Sequence, residues 1–152
     1  MLGAPLDINF GSSVSLVERI LRGKDPLLPD IRFGIVDVRD VAKMHVSSID
    51  LRTTFGQRIL ASSETLSFVE IAQILKKTYP DSKVKTGKAP TSLIKFLSSF
   101  NSDIKAVLPL LGKAMITSNS KAQLLLGISF VPAAESVKET AAFLFESETI
   151  SR

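Results

Sequence analysis

Apolar residues recur at helical spacing along most of this chain. Over positions 12–22, Leu16, Ile20 and Leu21 form a stripe, Ser15 and Glu18 stand at capping-box spacing, and Gly23 supplies a stop. Lys24 to Asp30, with Pro26 and Pro29, reads as a loop. Positions 33–38 read as an apolar strand. Asp40 is placed to cap a helix that follows to about Leu51, with Val41, Met44, His45 and Ile49 near one face. Positions 57–62 predict a second strand. The clearest helix covers 67–79: Ser67 and Glu70 form a capping box, Phe68, Ile71, Ile74 and Leu75 repeat along one face, and Pro80 ends it. A short strand is expected at 84–86. From Pro90 onward the pattern is almost wholly helical, over 91–100, 102–111, 119–126 and 136–146. Gly127 closes the third of these, and Ser136 with Glu139 is spaced to cap the last. The tail 147–152 is expected to fray.

Strands alternating with helices, then helices alone, predict an α/β fold with a few parallel strands and a mostly helical lobe. The division falls at 1–88 and 89–152, within one compact unit. A chain of 152 residues that is 45% hydrophobic and 22% charged is long enough for a real core and too apolar for disorder. It has no Cys, so there is no disulfide frame and no thiolate metal site, as expected of a cytoplasmic protein. The opening residues lack a basic segment followed by an apolar one, so no signal peptide is expected. Charges interrupt every apolar run before it reaches bilayer length, so no membrane partner is expected.

The net charge is +4, and positions 76–95 hold six Lys against one acid, Asp81. Such a patch can meet nucleic acid or a phosphorylated ligand. Here Lys outweighs Arg, and the nearby rings for base stacking are Tyr79 and Phe96, so the patch reads as a solvated loop and helix end rather than a nucleic-acid surface. His45 is the only histidine; it lies near the apolar stripe of its helix, as a packed or hydrogen-bonded side chain does. No second ligand stands at metal spacing and no nucleophile has a motif around it, so the metal and catalytic sets are empty. Asp37, Arg39 and Asp40 form a charged cluster, read as a helix cap plus a local ion pair.

The order of short motifs adds what periodicity cannot. The segment Val36-Asp37-Val38-Arg39-Asp40-Val41-Ala42, with His45 behind it, is similar to the Val-Asp-Val-Arg-Asp-Val-Ala segment of the extended short-chain dehydrogenase/reductases. The similarity is to their carboxy-terminal half, in the dihydroflavonol reductase-like and cinnamoyl-CoA reductase-like branch of the epimerase/dehydratase superfamily. Leu2-Gly3-Ala4-Pro5-Leu6 resembles its Gly-Pro-x-Leu segment, with Ala4 where Pro is usual. Ser12-Ser13 and Leu21-Arg22-Gly23 resemble the ends of the next helix. Gly56-Gln57-Arg58-Ile59-Leu60, Ser67-Phe68-Val69-Glu70-Ile71-Ala72, Asn119-Ser120-Lys121-Ala122 with Leu126-Gly127, and Pro132 with Ser136-Val137-Lys138-Glu139-Thr140 follow in the family's order.

That resemblance implies the carboxy-terminal part of a Rossmann-like reductase. Its parent reaction is NAD(P)-dependent hydride transfer to the carbonyl of a small hydrophobic ketone, aldehyde or thioester. It also implies that Phe10, Ser12, Ser13 and Phe33 line the substrate cleft, and that the Asp37–Asp40 turn supports it. The alternative is that both Phe are core and both Ser merely start a helix. A dinucleotide site needs a Gly-rich turn so that backbone can approach the pyrophosphate. The eight Gly here are scattered, none closer than eight positions to another, so no cofactor-binding residue is assigned. Tyr79-Pro80-Asp81-Ser82-Lys83 matches the family's Tyr-x-x-x-Lys spacing, but Pro80 prevents the two side chains from sharing a helix face, so it is not assigned as catalytic. The expectation is therefore a substrate-binding portion that is not catalytic alone and works with an amino-terminal half or as a homo-oligomer. Its alternative is a non-catalytic interaction protein derived from such a half.

Overall fold

The computed structural model describes residues 1–100, 105, 108–114 and 116–150. Among these are six helices, α1 (Ser12–Leu21), α2 (Val38–Asp50), α3 (Phe68–Thr78), α4 (Thr91–Leu97), α5 (Ser120–Leu126) and α6 (Ala133–Glu146), and two strands, β1 (Arg32–Ile35) and β2 (Glu64–Ser67). The fold is α/β. The helix expected over 102–111 lies partly outside the described residues; within it, Leu108–Leu110 forms one 3-10 turn.

The core is built where the stripes of α1, α3 and α6 meet. Val17, Ile71, Leu75, Val137 and Leu144 are fully buried, and each such side chain contributes roughly 1.5–3 kcal/mol over leaving it in water. Phe33 and Phe68 close one end edge to face, with ring centroids 5.2 Å apart. The tail does not fray at once. Ile150 is buried and its N–H donates to Leu144 O, while Thr149 O accepts from Arg22 Nη2 at 2.6 Å; Ser151 and Arg152 lie outside the described residues.

The strands differ from the expectation in place and direction. Positions 57–62 are not a strand. β1 pairs instead with β2, antiparallel, in the register Arg32↔Ser67 to Ile35↔Glu64. Among the described residues parallel pairing is limited to the single bridges Leu2↔Asp37, Leu28↔Lys88 and Arg32↔Ala114, and positions 84–86 form no strand. A strand exists only where a neighbour completes its hydrogen bonds. The β1 ladder is completed by the residues entering α3, which leaves 57–62 as a connector. Asn119 Nδ2 holds that connector through Ser62 O at 2.9 Å, and Lys121 Nζ through Gln57 Oε1 at 2.7 Å.

Capping decides the helix starts. Ser67 and Glu70 form the expected reciprocal box at α3. Ser15 and Glu18 do not form one, because α1 already starts at Ser12, behind Gly11, and Ser15 Oγ donates back to Gly11 O. Ser136 and Glu139 do not either: α6 starts a turn earlier behind Pro132, and the Ala133 N–H is taken by Glu64 Oε2 at 2.9 Å. At α2 the cap is Asp37, not Asp40.

Candidate functional site

Asp37 holds three segments together. Its side chain is fully buried. Oδ1 accepts from the Arg39 N–H at 2.9 Å, which caps α2, and from Arg39 Nε at 2.8 Å; Oδ2 accepts from Arg39 Nη2 at 2.9 Å and from Ser136 Oγ at 2.8 Å. Burial disfavours the Asp37 anion, but the Arg39 and Ser136 hydrogen bonds outweigh it and lower the pKa from 3.8 to about 2. The same bond to Asp37, with Glu139 Oε2 at 2.6 Å from Arg39 Nη2, raises the Arg39 pKa against a smaller effect of burial. The cluster expected from Asp37, Arg39 and Asp40 is thus a cap and ion pair completed from α6.

Gly3 fits against this carboxylate. Its φ is +116, and a Cβ there would stand 3.2 Å from Asp37 Oδ2. Thr140 Oγ1 accepts from the Gly3 N–H at 2.9 Å, and Leu2 brackets the start of α2 with bonds to Val36 O and from the Val38 N–H. The opening segment is therefore pinned to both α2 and α6. Between that segment, the start of α1 and the first turn of α2 lies a cleft of about 710 Å³, a size that suits small-molecule sites. Leu2, Leu6, Phe10, Val14 and Val38 make its walls mostly apolar; Ser12, Ser13 and Arg39 bring the polar groups.

Three of the four residues expected at a substrate cleft, Phe10, Ser12 and Ser13, line this one. Phe33 does not; it sits in β1 against Phe68 and the core. Asp40 is fully buried; its Oδ2 accepts from the Val131 N–H at 2.8 Å, and Oδ1 has no hydrogen-bond partner among the described residues, with Lys43 Nζ 3.8 Å away. His45 is exposed, with Nδ1 2.7 Å from Val41 O. No group of metal-binding side chains occurs among the described residues, and none of their helices is long and apolar enough to cross a membrane. Tyr79 ends α3 and its ring lies 4.7 Å from that of Phe145, at the opposite end of α1 from the cleft. Sequence reasoning missed Ser136, Glu139 and Thr140 as partners of Asp37, Arg39 and Gly3. Their one signal in the sequence is the family-like run Ser136–Thr140, within which Ser136 and Glu139 stand at capping spacing.

No family model matches the chain. Over 141 residues, 92% of this chain and 37% of the relative, it is 27% identical to the NADPH-dependent methylglyoxal reductase Gre2 of Saccharomyces cerevisiae. The crystal structure of yeast methylglyoxal/isovaleraldehyde reductase Gre2 complexed with NADPH matches 98% of this chain and 42% of that one, with a TM-score of 0.69 and 26% identity. This chain is similar in sequence and fold to Gre2-like NADPH-dependent reductases. Vestitone reductase from alfalfa shares the fold over 98% of this chain and 43% of its own, at a TM-score of 0.67 and 18% identity. The chain thus spans about two fifths of the length of its Gre2-like relatives.

The starts of α1, α2, α3 and α6 do not form the glycine-rich pyrophosphate cradle of a dinucleotide site. A pyrophosphate needs free N–H groups at a helix start beside clustered glycines. One N–H in the first turn of each of α2 and α6 is taken by this chain's own carboxylates, Arg39 N–H by Asp37 and Ala133 N–H by Glu64. At α3 one is taken by the Ser67–Glu70 box. At α1, Gly11 stands with no other glycine within seven positions.

Proposed function

We propose that this chain is the substrate-binding, carboxy-terminal portion of an NAD(P)-dependent reductase for a small hydrophobic carbonyl compound, and that it does not catalyse hydride transfer alone. The observation that carries this reading is the apolar cleft at Phe10, Ser12 and Ser13, braced by Asp37–Arg39, in a chain that aligns with Gre2-like reductases over nearly its whole length. Phe10 supplies apolar contact for the substrate's hydrocarbon part, and the Ser12 and Ser13 hydroxyls supply hydrogen bonds to its oxygen. The hydride donor is a nicotinamide cofactor held by a nucleotide-binding half that acts with this chain.

Isovaleraldehyde and NADPH are the probes. Ligand-observed magnetic resonance on the purified chain is expected to show isovaleraldehyde contact that Phe10→Ala removes, while NADPH fluorescence shows no micromolar binding. Isovaleraldehyde contact unchanged by Phe10→Ala, or micromolar NADPH affinity, overturns the assignment.

A second reading is a non-catalytic interaction protein derived from such a half-reductase. What favours it is one run of exposed apolar side chains on and just after α2: Val46 and Ile49 are each 68% exposed and Phe55 61%. Patches of this kind mark association surfaces. A second copy of the chain, or the nucleotide-binding half, is the partner that would cover them. Sedimentation at micromolar concentration separates the readings: self-association that Ile49→Lys abolishes favours this one, and a monomer that still contacts isovaleraldehyde favours the first.

A further inference from the structure

A second cavity, of about 650 Å³, lies where the carboxy-terminal ends of α1, α3 and α6 converge. It is separated from the cleft by the length of α1, roughly 15 Å at 1.5 Å per residue. Its floor is apolar, made by Leu21, Tyr79, Phe145 and Ile150. Its rim is charged, and mostly positive: Arg22, Lys24 and Lys83 against Asp81. Arg22 is occupied by Glu18 and Thr149 O. Lys24 and Lys83 are exposed, and neither ammonium has a carboxylate partner among the described residues.

Gly23 brings Lys24 to the rim that Lys83 also lines. It turns the chain after α1 at a φ of +62, and its α-carbon packs so closely on the loop after α3 that an added Cβ would stand 2.2 Å from Lys83 O. Lys24 follows that turn, and Lys83 belongs to the surface it packs on. Two exposed lysines on the rim of an apolar hollow, with no carboxylate paired to either among the described residues, suit a ligand with an anionic head and a hydrocarbon body.

We propose that this cavity is a binding site for small amphipathic carboxylates, independent of the cleft at Phe10. The carboxylate lies at Lys24 and Lys83, and the chain of the ligand lies over Tyr79 and Phe145.

The chain carries its own reporter. Tyr79 is the only Tyr and there is no Trp, so tyrosine emission reads this cavity and not the cleft. Octanoate is the probe, with octylammonium as the counterpart of equal length and opposite charge. Octanoate is expected to change Tyr79 emission saturably, and octylammonium is not. Raising salt from about 20 to about 500 mM should weaken octanoate binding severalfold. Lys24→Glu with Lys83→Glu should raise the half-saturating octanoate concentration at least about tenfold, about 1.4 kcal/mol, with the circular dichroism spectrum unchanged. A linear, unsaturable octanoate response, an equal response to octylammonium, or a folded double variant that binds octanoate as before each overturns the proposal. If the double variant does not fold, the comparison of the two probes on the unaltered chain decides it.

Discussion

Ser136 and Asp37 are 99 positions apart, yet Ser136 Oγ donates to Asp37 Oδ2 at 2.8 Å inside the buried core. That contact ties the closing helix to the strand-to-helix turn that forms one wall of the cleft. It also makes Asp37 a group with four hydrogen bonds, two of which hold a guanidinium that reaches on to Glu139.

Asp37→Asn should cost more than Ser136→Ala. Asn keeps only one accepting arm, so it breaks the paired hydrogen bonds to Arg39 and leaves that guanidinium with Glu139 as its remaining carboxylate; a loss of about 2–3 kcal/mol is expected. Ser136→Ala removes one hydrogen bond to a charged group, worth about 1.5–3 kcal/mol, and spares the cap, so it should fall at the low end. Urea denaturation of both variants gives the order. The reverse order would show that the Arg39 pair contributes little.

Acid should weaken the fold in a defined window. The folded pKa of Asp37 is lowered to about 2 from 3.8. Its contribution is therefore complete above the unfolded value and is lost as pH falls through the folded one. Glu70 is shifted in the same direction, chiefly by the Ser67 N–H and then by the Ser67 hydroxyl. Together they predict a fall in the urea midpoint between about pH 4 and pH 2. Asp37→Asn should flatten that fall. A variant as acid-sensitive as the parent would remove Asp37 from the account.

Gly23→Ala and Gly127→Ala separate strain from collision. Both glycines adopt positive φ, +62 and +63, but a Cβ at Gly127 meets nothing within 4 Å, whereas at Gly23 it strikes the Lys83 carbonyl. Gly127→Ala should therefore cost about 1 kcal/mol, the strain alone. Gly23→Ala should cost clearly more, and should shift the loop after α3. Equal melting temperatures for the two variants would mean that the loop yields freely.

Ser67→Ala should destabilise by about 1 kcal/mol by removing the reciprocal box at α3. Amide exchange in the first turn of α3 should quicken with it. Exchange that is unchanged there would show that packing of Phe68 and Ile71, rather than the cap, fixes the start of the helix.

What the sequence alone determined was local. The α3 box, the stop at Pro80, the left-handed close at Gly127 and the apolar stripes depend on residues within a turn or two of one another, so spacing reveals them. The order of motifs likewise identified the reductase relationship. Only the tertiary structure decided which of several caps is used, which segment completes β1, and where the charges go. The sequence offers Asp40 as the cap of α2. Leu2 fastens the backbone on either side of Asp37, making it the cap, and the Val131 N–H takes up Asp40. The Ser136–Glu139 spacing looked like a helix start, but Pro132 begins α6 earlier and leaves both side chains facing Asp37 and Arg39. The physical reason is range. A cap is satisfied across three or four residues, whereas a buried carboxylate is satisfied by whatever the folded chain brings within 3 Å of it, and no local pattern records those partners.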